Sequence, residues 1–299
     1  MSTSTFHREE ASRTVPSSTQ TVSSELSSQT QLLPHSATAR PARLRATLRS
    51  TLLSILPALL VAALLLVVWY SVTAARLLPS IILPAPGDVF SSLIDGFSSG
   101  LFLSNLWVTM QESLLGFLVA LLISLPLGYA LAKFRLFAVA FHPYLAAGQA
   151  IPVLAIAPLL SIWLGYGLFT NVVVSFLVVF FPLVVNAMLG LQLIDRSLTD
   201  AARVEGADGW SLLLHIEFPL ALPPIMAAFR TCLTLAVVGA LVAEFVIGGD
   251  QGLGSLVLEA KNQYNLPLMF ASLLVLAALA ALYYGLAWLL TKLTEALFA

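Results

Sequence analysis

Leu191-Gln192-Leu193-Ile194-Asp195-Arg196-Ser197-Leu198-Thr199-Asp200-Ala201-Ala202-Arg203-Val204-Glu205-Gly206-Ala207-Asp208-Gly209-Trp210 opens a polar loop over residues 192–223, set between two strongly apolar runs. Ser197, followed three places later by Asp200, resembles a capping box with Asp where Glu or Gln is usual. Ala201 to Glu205 favour helix, and Gly206 suits the left-handed residue that closes one. Asp208 is placed to cap a second helix from Gly209 to about Glu217, which Pro219 is expected to stop. That helix puts Trp210, Leu213, Leu214 and Phe218 on one side. The loop thus reads as two short helices joined at a glycine. On these residues alone it is either a docking element or an amphipathic hairpin lying on a bilayer.

The flanking runs belong to a membrane chain. Of 299 residues, 59% are hydrophobic and only 10% charged, against roughly 25% charged in soluble domains. Six stretches reach the roughly 20 residues that a spanning helix needs: Leu52 to Thr73, Leu103 to Leu131, Leu136 to Ala157, Leu168 to Leu191, Pro224 to Ile247 and Leu266 to Leu290. Pro143, Pro152 and Pro158 lie in or beside the third, which predicts a kinked helix lined by its neighbours. With the N-terminus inside, 11 basic residues fall on the inner side and only Arg76 and Lys261 on the outer. This positive-inside bias predicts an all-α protein of six spans with both termini cytoplasmic, multi-pass in a plasma (inner) membrane. Residues 1–50, rich in Ser and Thr, read as a disordered cytoplasmic tail ahead of a transmembrane domain over 51–299. A cleaved signal is the rival reading of Leu52 to Ala74, but its polar lead-in is too long.

Asp200-Ala201-Ala202, Gly206 and the Ile216–Pro219–Pro223 stretch, placed before the penultimate span, resemble the EAA loop of binding-protein-dependent ABC importer permeases. Leu83-Pro84-Ala85-Pro86, Gly116-Phe117, Pro126-Leu127-Gly128, Pro158-Leu159, Gly165-Tyr166-Gly167, Phe181-Pro182, Ala243-Glu244-Phe245 and Gly252-Leu253-Gly254 are similar to the nitrate/sulfonate/taurine branch. The resemblance covers about residues 52–295 and implies a type I ABC importer permease fold. It implies a coupling loop at 195–223, in which Asp200, Ala201, Ala202, Gly206, Ala207, Trp210 and Pro219 meet a cytoplasmic ATPase subunit. It also implies an extracytoplasmic solute-binding protein and a second copy of the permease, both within membrane lipid. The run from Gln149 to Leu160, with Glu112 where many sulfonate-type relatives carry Arg, is similar to permeases for riboflavin and for the pyrimidine precursor of thiamine. A taurine, alkanesulfonate or nitrate importer is the alternative.

The remaining chemistry is sparse. A phosphate-binding loop needs Gly-Lys-Ser/Thr, and Lys133, Lys261 and Lys292 follow Ala, Ala and Thr. No enzyme activity and no cofactor are expected of this chain, with ATP bound and hydrolysed by a separate subunit. Neither a metal site nor a nucleophile triad is visible. Ionisable groups inside a bilayer are costly and default to function. Glu112, Gln149, Asn186 and Glu244 are therefore candidates for the translocation path, the alternative being hydrogen bonds between helices. Arg230 reads as a residue snorkelling to the inner interface, and Cys232 as a small core hydrophobe. A gradient-driven secondary transporter is the rival of another class, but the inverted repeats common in such carriers are not visible.

Overall fold

The computed structural model describes residues 40–249 and 251–298, and the chain divides into two units, Met1–Leu65 and Leu66–Ala299. The first helix, α1 (Arg40–Ala74), straddles that division. Its described part starts at Arg40, and Arg, Ala and Leu, frequent over residues 40–50, all favour helix. The rest of the expected tail, residues 1–39, lies outside the described residues. Within the second unit, Trp69 anchors the end of α1, its indole N–H donating to the Pro84 carbonyl at 3.0 Å.

After α1 come α2 (Pro86–Ser98), α3 (Leu101–Lys133), α4 (Arg135–Ala150), α5 (Val153–Leu164) and α6 (Leu168–Gln192). Then follow α7 (Arg196–Val204), α8 (Gly209–Ile247), α9 (Leu253–Asn262) and α10 (Leu266–Phe298). Helices α3, α6, α8 and α10 are each long and apolar enough to cross a membrane alone. They correspond to the second, fourth, fifth and sixth expected spans. Of the first, the described apolar helix is Leu59–Ala74.

The third expected span differs. Instead of one kinked helix, α4 and α5 meet at a 95° bend. Ile151 sits at φ −74°, ψ 122°, the extended conformation that the ring of Pro152 imposes on the residue before it. One proline in mid-segment has turned a kink into a corner.

The core forms where α6 packs between α3 and α8. Close approach is set by small residues, as in membrane helix pairs generally. A Cβ on Gly116 of α3 would lie 2.6 Å from Ser175 Cβ, and one on Gly239 of α8 would lie 2.7 Å from Ser175 Cα. Ser175 is therefore gripped from both sides, and its hydroxyl donates to the Ala236 carbonyl at 3.0 Å. Cys232 is buried in this apolar packing, as its surroundings in the sequence suggested.

Candidate functional site

The 192–223 loop folds as helix, glycine turn and helix, with three local departures from expectation. The cap of α7 is Asp195, not Ser197: its carboxylate accepts the Ser197 N–H at 2.9 Å. That bond holds the Asp195 carboxyl below its ordinary value. At the other end, Gly206 adopts φ +94°, while Gly206 N–H bonds to the Arg203 carbonyl and Ala207 N–H to that of Ala202. This pair of bonds is a Schellman closure, which a left-handed glycine permits. Asp208 stands at the cap of α8, but its side chain makes no capping bond.

The third departure concerns Pro219. The second loop helix does not end there but runs on as the spanning helix to Ile247. A π turn at Leu213–Glu217 widens the helix just upstream, and Phe218 N–H bonds back to the Leu213 carbonyl. A π turn shifts the hydrogen-bond register. The carbonyl that a proline ring would otherwise strike is then displaced. The loop and the fifth span are consequently one continuous rod.

That rod is tied to α3. Lys133, at the end of α3, is ion-paired with Glu217 of the π turn. Trp210, Leu213 and Phe218 face Pro126 and Tyr129 across an apolar cavity of about 600 Å³. Asp200 pairs with Arg203 at 3.1 Å on the surface of α7. Leu198, Val204 and Trp210 leave large apolar side chains exposed on the loop.

A second cluster lies at the opposite end of α8, where Glu244 is fully buried. One of its oxygens accepts the Thr109 hydroxyl at 2.6 Å, and the other accepts Gly254 N–H. Thr109 Oγ1 in turn accepts Leu253 N–H at 2.9 Å, and Asn105 Oδ1 accepts Gly252 N–H at 2.7 Å. The first amides of α9, which have no partner inside their own helix, are thus capped by side chains from α3 and α8. One turn along α3, Glu112 neighbours Glu244 and accepts the Asn171 amide at 2.7 Å. Ser113 and Tyr283 complete the cluster, oxygen to oxygen at 3.1 Å.

The four path candidates therefore separate. Glu112 and Glu244 come together in buried packing, whereas Gln149 and Asn186 are exposed on α4 and α6. Asn186 donates to the Pro182 carbonyl of its own helix at 2.7 Å. Arg230 on α8 keeps a buried Nε that has no hydrogen-bond partner among the described residues. Sequence reasoning missed Thr109, Asn105 and Asn171 beside Glu244 and Glu112, and the pair Lys133–Glu217. The Gly252-x-Gly254 spacing carried a signal, since a Cβ on either would sit within 2.7 Å of the Glu244 carboxyl group.

The family model described as binding-protein-dependent transport system inner membrane component matches residues 124–295. The chain is 42% identical over 230 residues to the riboflavin transport system permease protein RibX of Chloroflexus aurantiacus, covering 77% of this chain and 85% of the relative. It is 30% identical over 222 residues to the formylaminopyrimidine transport permease protein ThiX of Halalkalibacterium halodurans, with 74% and 88% covered. The taurine transport system permease protein TauC of Escherichia coli is 28% identical over 225 residues, with 74% and 82% covered. Among solved structures, the inward-facing MetNI methionine ABC transporter shares the fold at a TM-score of 0.58 and 20% identity, over 64% of this chain and 94% of that chain. The helical architecture and these matches agree: the chain is an inner-membrane ABC importer permease of the type I fold and belongs to the binding-protein-dependent transport system inner membrane component family.

Proposed function

We propose that this permease carries riboflavin or a related vitamin heterocycle inward. It is expected to act as one half of a paired translocation unit fed by an extracytoplasmic binding protein and driven by a separate ATPase that binds the nucleotide. The observation that carries the solute assignment is the 42% identity to the riboflavin permease, against 30% and 28% for relatives named for formylaminopyrimidine and taurine.

The loop supports the proposed division of labour. Exposed apolar groups on a short helical element mark a surface that a partner covers. Here Leu198, Val204 and Trp210 stand beside the small residues Ala201 and Ala202, which permit close approach. Because α8 is continuous from the loop to Ile247, a displacement of Trp210 is delivered along the rod toward Glu244. In this reading Asp200, Ala207 and Pro219 shape the docking element, and Glu112, Glu244, Gln149 and Asn186 stay proposed polar groups of the path, the first two buried between helices and the last two exposed.

The test is uptake into proteoliposomes holding this chain, its ATPase and its binding protein, with labelled riboflavin, formylaminopyrimidine and taurine compared. Saturable, ATP-dependent riboflavin uptake needing all three proteins supports the assignment. Preference for taurine moves the chain to the sulfonate alternative, and uptake by this chain alone under an ion gradient overturns the ATP-driven mechanism.

A further inference from the structure

The loop end of the bundle holds a polar cavity of about 700 Å³, a volume typical of small-molecule sites. Four cations line it: Lys133 at the end of α3, Arg135 at the start of α4, and Arg196 and Arg203 on α7. Two acids line it as well, and each already has a partner. Glu217 takes Lys133, and Asp200 takes Arg203 at 3.1 Å. The Asp195 carboxylate, adjacent to Arg196 in the chain, accepts the backbone N–H of Ser197 instead. Among the described residues, Arg135 and Arg196 are left without an acid.

Two uncommitted guanidinium groups lining one cavity match a phosphate, which their planar forks can hold through paired charge-assisted bonds. A free anion would account for the arginines alone. The surroundings are apolar as well: Leu136 follows Arg135 and is 86% exposed, and Leu193, three residues before Arg196, is 78% exposed. These leucines sit where the spanning helices α3 and α6 end, on the side that the distribution of basic residues assigns to the cytoplasm. A ligand that satisfies both features has a phosphate head and acyl chains. Basic pockets between membrane helices on the cytoplasmic side commonly hold such head groups.

We propose that this cavity binds the phosphate of an anionic phospholipid of the inner leaflet, with Arg135 and Arg196 as its ligands and Leu136 and Leu193 against its acyl chains. The bound lipid joins the α3–α4 turn to α7, so the loop is referenced to the membrane as well as to its own spans. The inference rests on the inward orientation of the loop and not on which solute is carried.

The experiment is native mass spectrometry of the full-length chain in mild detergent, titrated with phosphatidylglycerol or phosphatidylcholine of identical acyl chains. Wild-type protein should bind phosphatidylglycerol saturably and phosphatidylcholine weakly. Each basic residue near an anionic surface is worth about fivefold, so Arg135→Gln with Arg196→Gln should weaken phosphatidylglycerol binding about 30-fold. The Arg135→Lys, Arg196→Lys pair should retain most of it. Equal wild-type binding of the two lipids overturns the proposal, and this comparison stands even where the glutamine variant does not fold. Undiminished binding in a folded glutamine variant overturns it too. Inorganic phosphate that binds as tightly as the lipid would make this a free-anion site. A glutamine variant that keeps its lipid but loses affinity for the ATPase would make it a protein contact. None of these readouts involves the transported solute.

Discussion

Lys133 and Glu217, 84 residues apart in the chain, close an ion pair that fixes the end of α3 to the π turn of α8. The Glu217 side chain is 3% exposed and that of Lys133 31%, and among the described residues the second Glu217 oxygen has no hydrogen-bond partner. The carboxylate therefore depends on the lysine. Removing one partner of a sealed ion pair costs about 3–5 kcal/mol. Water reaching the lysine side lowers the expected cost of Lys133→Met to about 1–3 kcal/mol. Glu217→Gln added to that variant should recover most of the loss, because no buried charge is then stranded. Thermal unfolding in detergent reads both, and wild-type stability in Lys133→Met alone would sink the idea.

Glu244 supplies two acceptors, to Thr109 and to Gly254 N–H. An amide offers one acceptor and sets an N–H₂ against one of these donors. Glu244→Gln should therefore cost about 1–3 kcal/mol, the usual range for an unsatisfied buried group. The loss should be local before it is global, loosening the first turn of α9. Hydrogen exchange at the Leu253 and Gly254 amides checks this; unchanged protection there would count against the capping role.

Ser175 lies between two glycines that differ in what opposes them. A Cβ on Gly116 meets mainly the Ser175 side chain, whereas one on Gly239 meets Ser175 Cα at 2.7 Å. Both Gly116→Ala and Gly239→Ala should destabilise, by about 1–3 kcal/mol for overpacking. Only the first should be partly rescued by Ser175→Gly. Equal rescue of both, measured by unfolding midpoints of the two double variants, would falsify this account of the packing.

Gly206 has φ +94° and open space around the position of a Cβ. Gly206→Val consequently places its Cβ in open space and bears backbone strain of at least about 1–2 kcal/mol, the cost of a left-handed L-residue. The protein should still fold and insert, while ATP-driven uptake falls because the α7–α8 turn is displaced. Wild-type uptake in a folded Gly206→Val variant would separate this turn from coupling.

Asp195 is held below its ordinary carboxyl value by the Ser197 N–H. A group whose folded value is lowered stabilises above its unfolded value and loses that contribution as pH falls through the folded one. The cap of α7 should thus be complete at neutral pH and fade only below the usual Asp value, near 3.8. Proteolysis of the loop should accelerate on acidification over that range, and Asp195→Asn should remove the Asp195 contribution to the dependence. A loop equally protected in wild type and variant at every pH would refute it.

Much of this was legible because membrane spans and loop helices are local. Apolar runs announced α3, α6, α8 and α10, and Gly206 announced the turn that it makes. The misplaced cap shows the limit of local signals: Asp195 and Ser197 are both good caps two residues apart, and only the folded backbone chooses between them. Pro219 misled because a proline ends a helix unless the preceding turn widens, and no propensity marks a π turn. Partners of Glu244 were out of reach, since Thr109 is 135 residues away and only packing brings the two together.

The corner between α4 and α5 bears on how the chain enters its membrane. At 1.5 Å per residue, the 16 residues of α4 make about 24 Å and the 12 of α5 about 18 Å. Neither reaches across a hydrocarbon core of about 30 Å. A translocating machine that partitions segments one by one meets here a pair with no stable resting place alone. Its place is instead supplied by the helices around it, α3 and α6 against α4, and α6 and α8 against α5.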